Sequence, residues 1–269
     1  ADSSGQVTGM VKLTVIYDSR ANLPTLSVVG GNDYLNAAEL SSNVQLSGSG
    51  EPGATLSLSL TGGKASLSLT SIEVGSNGIW SLDLTSAQLL ALGEGNISVA
   101  VSQVDRAGNR SGSLLKSFVI DTLVSVPTLD ADIAGDDTVN ASEKALGFSL
   151  TGTGEPGATV TIRLTDAQSS AKTFRASVGS NGRYSLNLAS TDLDGLVDGP
   201  LNVGVSQTDL AGNSSTVLNR ALTLKATPLS QGVTVDPVSG GDDRISFTEQ
   251  QDSVTLQGTA PTSTTVHVR

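Results

Sequence analysis

Short stretches of strict alternation between polar and apolar residues run through the chain. Thr55-Leu56-Ser57-Leu58-Ser59-Leu60 and Thr159-Val160-Thr161-Ile162-Arg163-Leu164 each place every second side chain on one face. Trp80, Leu82 and Leu84 alternate with Ser81 and Asp83, and Ile97, Val99 and Val101 with Ser98, Ala100 and Ser102. A period of two marks half-buried antiparallel strands, and no long helical period competes with it. The turns between the strands are legible. In Glu51-Pro52-Gly53-Ala54 and Glu155-Pro156-Gly157-Ala158, proline takes the second and glycine the third position, as a type II turn requires. Ser-Asn-Gly at 76–78 and 180–182 suits a tight hairpin turn, because Asn and Gly tolerate positive φ.

These signals recur. The Glu-Pro-Gly-Ala-Thr segments at 51 and 155, the Val-Gly-Ser-Asn-Gly segments at 74 and 178, and the Asp-x-Ala-Gly-Asn segments at 105 and 209 are all offset by 104 (155 − 51 = 104). At that offset, residues 31–121 and 135–225 are identical at 38 of 91 positions, which is a tandem duplication. Fragments of the same unit occur at both ends, so the chain reads as four pieces. Residues 1–19 are the C-terminal strand of a preceding repeat, 20–123 and 124–227 are whole repeats, and 228–269 are the N-terminal part of a third. Proline-bearing linkers (Pro24, Pro127, Pro228) fall near these boundaries. About seven strands per unit, with turns every 8–12 residues, predict an all-β chain of tandem immunoglobulin-like β-sandwiches end to end. In the second repeat this places strands A at 127–134, B at 147–153, C at 158–165, D at 173–178, E at 183–188, F at 200–208 and G at 215–224. Trp80 and Tyr184 share one repeat position and read as core aromatics.

Composition narrows function. The net charge is −11, there is no cysteine, and the only histidine is His267. Disulfides, thiolate nucleophiles and cysteine-bound zinc are excluded. The acidic balance disfavours nucleic acid, and no apolar run is long enough to span a membrane as a helix. His267 reads as a surface strand residue, no Ser/His/Asp set or phosphate loop recurs, and the segment reads as non-enzymatic.

The carboxylates are patterned. Residues 31–39, 135–143 and 241–249 share the form Gly-Asp/Asn-Asp-x-apolar-Asn/Ser-x-x-Glu. Asn36 with Glu39, Asn140 with Glu143, and Ser246 with Glu249 have the spacing of a helix capping box. That leaves Asp33, Asp136, Asp137, Asp242 and Asp243, whose mutual repulsion a hard cation would relieve; calcium takes six to eight oxygens in flexible geometry. Other acids recur too. Asp105 and Asp209 open the turn before strand G, where the plain reading is a local Asx turn. Asp18 and Asp121 end strand G, and Glu94 and Asp198 precede strand F, where they read equally as solvated turn residues. The alternation of loops along a sandwich carries the acidic segment, Glu94 and Asp121 of one repeat toward Asp209 of the next, and Asp18 toward Asp105. The counterpart of Asp121 in the next linker is Lys225, which can only donate, so the joint between the second and third repeats is expected to be altered.

Taken together, the unit of about 100 residues, Glu-Pro-Gly-Ala-Thr, Asp-x-Ala-Gly-Asn, Gly-Asp-Asp-x-Val-Asn-x-x-Glu and the Asp-plus-proline linker resemble the bacterial immunoglobulin-like tandem repeats of giant type I-secreted, RTX-type surface adhesins. The resemblance implies an extracellular or cell-surface setting, Ca2+ at the junctions between domains, neighbouring repeats of the same polypeptide as partners, and a host-cell or biofilm surface reached through modules outside this segment. It implies calcium ligands at Asp18, Asp105, Asp121, Asp136, Asp137 and Asp209, while Asn32 and Lys225 depart from the acidic pattern. A module that grips a glycan or protein, and a stalk independent of metal, are the alternatives.

Overall fold

A computed structural model describes residues 12–227, 232–237, 255–260 and 265–268. In the first repeat the strands are β1 (Tyr34–Leu35), β2 (Val44–Ser49), β3 (Thr55–Thr61), β4 (Ser66–Glu73) and β5 (Ile79–Leu84). Helix α1 (Ser86–Leu92), β6 (Gly95–Val104) and β7 (Leu114–Ile120) follow. One sheet has the order β1-β7-β6-β3-β4, and β2 pairs β5 in the facing layer. The second repeat follows the same plan with β8 (Thr138–Asn140), α2 (Ala141–Leu146), β9 (Phe148–Thr153), β10 (Thr159–Asp166), β11 (Ala171–Ser177), β12 (Arg183–Leu188), β13 (Gly199–Thr208) and β14 (Leu218–Lys225). Its sheets are β11-β10-β13-β14-β8 and β12-β9. These are two immunoglobulin-like β-sandwiches.

The alternation does what the sequence predicts: β3 reads exposed, buried, exposed, buried along its length. The first core runs from Leu26 to Ile120 and includes Trp80 and Phe118; the second runs from Ile133 to Leu224 and includes Tyr184. No residue is shared between them, so each repeat buries its own core.

Three strand expectations change. The strand at 171–177, placed as D, pairs β10 from Thr159↔Ser177 to Thr165↔Ala171, so it lies in the sheet of strands C, F and G and leaves β12 with only β9. Its inward positions (Lys172, Phe174, Ala176) are only half-buried, as suits an edge. The segment placed as strand A is split. Thr128 N–H donates to Thr153 O and Asp130 N–H to Thr151 O of β9, and the chain then crosses over so that β8 runs parallel to β14. Residues 12–19, expected as a strand, carry no ladder, and Leu13, Ile16 and Tyr17 are exposed. In each whole sandwich that strand is zipped to the one before the Asp-x-Ala-Gly-Asn turn, a pairing that residues 12–19 do not make with any described residue.

The turns are also resolved. Gly53 (φ 78°) and Gly157 (φ 85°) occupy the positive-φ position of the Glu-Pro-Gly-Ala turns, closed by Ala54 N–H on Glu51 O and Ala158 N–H on Glu155 O, both 2.9 Å. In the Ser-Asn-Gly loops only the glycine takes positive φ (Gly78 77°, Gly182 74°). The asparagine instead accepts from the strand that follows, Ile79 N–H at 3.1 Å and Arg183 N–H at 3.1 Å, giving a three-residue loop rather than a two-residue one.

Entry to each sandwich is clamped the same way. Thr25 pairs Ser49, and Thr128 pairs Thr153, through side-chain oxygens at 2.7 Å. Thr234 pairs Thr259 at 2.7 Å where β15 (Thr234–Val235) meets β16 (Gly258–Thr259), a further instance of the same motif. Trp80 Nε1 donates to Thr25 O at 3.2 Å and Tyr184 OH to Thr128 O at 2.6 Å, so the shared aromatic position also pins the entering chain.

Candidate metal centre

The structure gathers carboxylates where one sandwich hands over to the next. At the first joint Asp18, Glu51 and Asp105 each offer an oxygen, and all three oxygens lie within 4.8 Å of one another. Three separate segments supply them: the chain entering the first sandwich, the Glu-Pro-Gly-Ala turn, and the turn after β6. Asp105 is positioned by its own loop. Its Oδ1 accepts from Asn109 N–H at 2.8 Å and its Oδ2 from Asn109 Nδ2 at 2.7 Å, and the same Nδ2 donates to Asp18 O at 3.2 Å. Burial works against the Asp105 anion, but the Asn109 side chain and the N–H groups of Asn109, Ala107 and Gly108 together hold its pKa below the ordinary carboxylate value. Glu51 Oε1 accepts from the linker at Asn22 N–H, 2.5 Å.

At the second joint the equivalent residues are Asp121, Glu155 and Asp209, charged neighbours whose oxygens are spread wider than the 4.8 Å of the first trio. Asn213 N–H donates to Asp209 Oδ1 at 2.8 Å, and Asn213 Nδ2 donates to Asp209 Oδ2 and to Asp121 O, both at 2.8 Å. Glu155 Oε1 accepts from Ser125 N–H at 2.5 Å and also from the Ser125 hydroxyl. Asp121 responds to this crowding. Its pKa is raised by burial first, then by the charges of Asp209, Glu155 and Glu94, against the Leu123 N–H that its Oδ1 accepts at 3.2 Å. The joint is also tied directly: Asn36 Nδ2 donates to Ala211 O at 2.9 Å, and Ala37 N–H to Asn213 Oδ1 at 3.0 Å.

The other acids have different work. Asp33 Oδ1 accepts from Val29 N–H at 2.9 Å and Asp137 Oδ1 from Ile133 N–H at 3.0 Å, each closing its own loop with the aspartate at positive φ. Arg220 grips both oxygens of Asp137 at 2.8 and 2.6 Å and holds its pKa down. Asp136 Oδ1 caps Thr138 N–H at 2.9 Å. Asn36 with Glu39 and Asn140 with Glu143 form reciprocal capping boxes, each bond 2.9–3.0 Å. The repulsion between neighbouring acids, expected to call for a cation, is thus met in the second repeat by Arg220 and by backbone N–H groups. Glu94 and Asp198 are not idle turn residues either. Glu94 accepts from Thr122 N–H (3.1 Å) and its hydroxyl (2.5 Å); Asp198 accepts from Ala226 N–H (2.8 Å) and Thr227 N–H (3.0 Å). Each fastens the chain as it leaves its sandwich. Asp242 and Asp243 lie outside the described residues, as does most of the joint in which Lys225 replaces an aspartate. His267 is exposed.

Sequence reasoning missed Glu51 and Glu155, which it used only to define a turn. The signal was present: the glutamate recurs at the same offset of 104 as Asp105 and Asp209. It also missed Asn109 and Asn213, the final residues of the Asp-x-Ala-Gly-Asn motif, whose amides bridge the aspartate to the incoming chain.

The donor set is all oxygen, mostly anionic. Among the described residues the ion pairs are Lys144–Asp194, Arg183–Asp130 and Arg220–Asp137, none of which reaches either cluster. Clusters of this kind suit a hard divalent cation such as Ca2+.

Residues 134–222 match the bacterial Ig domain family. Among solved structures, the chain is similar to a Ca2+-stabilised, ice-binding adhesin of an Antarctic bacterium (26% identity, TM-score 0.40, 90% of this chain and 58% of that one). It is also similar to a 1.5-MDa bacterial ice-binding adhesin (24%, TM-score 0.44, 90% and 75%) and to a tetra-tandem repeat from the extending region of a large adhesion protein (24%, TM-score 0.36, 89% and 56%). The chain thus spans little more than half the length of the first and third of these. No curated protein matches it.

Proposed function

We propose, from the premise that residues 134–222 are a bacterial Ig domain and that residues 31–121 duplicate them, that this chain is an extender segment of a large bacterial surface adhesin, stiffened by Ca2+ at its joints. The single observation that carries the reading is the convergence of Asp18, Glu51 and Asp105 at the first joint; their counterparts Asp121, Glu155 and Asp209 sit close enough at the second for their charges to raise the Asp121 pKa. The repeat boundaries are those at 20–123, 124–227 and 228–269, and the setting is extracellular, where calcium is plentiful. Among the described residues no helix is long and apolar enough to cross a membrane.

The mechanism is electrostatic. Without a cation, three carboxylates from three segments repel, and the joint opens to separate them. A divalent ion replaces repulsion with shared coordination, and an ion that binds only the closed joint stabilises it by mass action. The segment then holds a distal binding module, outside this chain, away from the cell. At the third joint Lys225 stands where Asp121 stands at the second, so calcium there is weaker or displaced.

Small-angle scattering tests the reading. In millimolar calcium the distribution of interatomic distances should be narrow and long, and a chelator should broaden it. An unchanged distribution would leave a stalk held by direct contacts such as Asn36–Ala211 and sink the calcium reading.

A further inference from the structure

Four polar or charged residues are buried in the described structure, and two of them, Gln103 and Gln207, occupy one repeat position and are each 1% exposed. A buried amide must find partners for its donors and its acceptor, and both glutamines find the same ones. Gln103 Oε1 accepts from Glu51 N–H at 3.1 Å, and its Nε2 donates to Asn22 O at 2.8 Å. Gln207 Oε1 accepts from Glu155 N–H at 3.0 Å, and its Nε2 donates to Ser125 O at 3.0 Å. The preceding glycine makes room: a Cβ on Gly50 would sit 2.6 Å from Gln103 Oε1, and one on Gly154 2.4 Å from Gln207 Oε1.

Each amide therefore closes a ring. Glu155 holds Ser125 by its N–H while Gln207 holds the same residue by its carbonyl and holds Glu155 by its N–H; Glu51, Asn22 and Gln103 form the identical ring. The ring touches every segment that supplies a joint carboxylate. The glutamate belongs to it, the second aspartate (Asp105, Asp209) lies two residues beyond the glutamine, just past the end of its strand, and the linker it grips begins four residues before, at Asp18 or Asp121.

We infer that Gln103 and Gln207 are positioning residues that set the spacing of the three joint carboxylates and seat the linker beneath them. The inference rests on the calcium reading of the joints. Its consequence is that linker order and cation affinity are coupled through one side chain that never touches the ion: when the amide is lost, the linker is freed and the cation must pay the ordering entropy itself.

The test uses the full chain with Gln207→Met, which keeps the volume and removes both hydrogen bonds. Calcium is titrated by calorimetry, and amide exchange at Ser125 is followed with and without the metal. Expected is about a tenfold loss of affinity at the second joint, from two buried hydrogen bonds of about 1 kcal/mol each partly expressed in binding, with the first joint unchanged. Ser125 should also exchange faster in saturating calcium. Unchanged affinity with Ser125 still protected overturns the inference and leaves the calcium reading standing. If the unaltered chain takes up no calcium, the reading itself fails and the positioning role falls with it. If Gln207→Met unfolds the second sandwich, Gln103→Met is read against Asn22 and the first joint; loss of folding there as well, with no folded species of weakened affinity, assigns the amides to the core alone and overturns the inference.

Discussion

Asp121→Asn will weaken calcium binding at the second joint by about 100-fold, while in chelator the same variant will hold that joint closed better than the unaltered chain does. The two opposite effects come from one charge. Asp121 is nearly isosteric with asparagine, and among the described residues its carboxylate accepts only the long hydrogen bond from Leu123 N–H. What the change removes is an anion beside Asp209, Glu155 and Glu94. At a separation of about 4–6 Å and an effective dielectric near 20, one charge against a divalent ion is worth several kcal/mol before screening, and about 3 kcal/mol is a factor of roughly 100. In chelator that anion is a liability, so its removal relieves the joint. Calorimetry gives the first number, and scattering in chelator gives the sign of the second. A variant that binds calcium as tightly as the parent would remove Asp121 from the site.

The pH dependence has the same origin. The closed joint raises the Asp121 pKa, so the closed form binds a proton more tightly than the open one. Without metal, closure is therefore favoured as pH falls through the raised value and lost as pH rises past it. With metal, proton and calcium compete, and affinity declines over the same interval. Asp137 and Asp105 behave oppositely. Their folded pKa values are lowered, so what they contribute is present above the ordinary carboxylate value and is lost on acidification. Mild acid should thus tighten the bare joint before stronger acid loosens the sandwiches.

How much of this could be read from the sequence depends on the range of the interaction. Alternation, turns and the 104-residue offset are local or repeated, and they delivered the strands, the Glu-Pro-Gly-Ala turns and the shared aromatic of Trp80 and Tyr184. The sheet partner of residues 171–177 was not legible, because an edge strand with Lys172 and Arg175 alternates equally well beside either neighbour. The partners of the acidic loops were not legible for a related reason. Asp136 and Asp137 are adjacent in the chain, but Arg220 lies 83 residues beyond Asp137, and only the fold shows that it pairs with it. Asp209 was found at the joint because strand alternation fixes the end at which each loop lies. Glu155 was overlooked at that same end because the turn chemistry around it already explained its neighbours.

Trp80→Ala should be the most damaging single change to the fold, and its damage should stop at the joint. Trp80 is 1% exposed in the first core, and truncation of a buried tryptophan costs about 3–5 kcal/mol. It also strands Thr25 O, which the indole N–H satisfies, so the entering chain loosens together with the core. For a domain of about 100 residues this lowers the melting point by roughly 15–25 °C. The second core shares no residue with the first, so calorimetry should show one transition displaced and another in place. The milder Tyr184→Phe removes only the hydroxyl bond to Thr128 O, and should shift the other transition by about 1 kcal/mol. Calcium should partly couple the two. In chelator the displaced transition moves alone; in saturating calcium the ion bound between the sandwiches is lost when either side melts, and the second transition should follow the first downward. Two transitions that move together even in chelator would mean that the repeats fold as one unit, and that the joint is a core rather than a hinge.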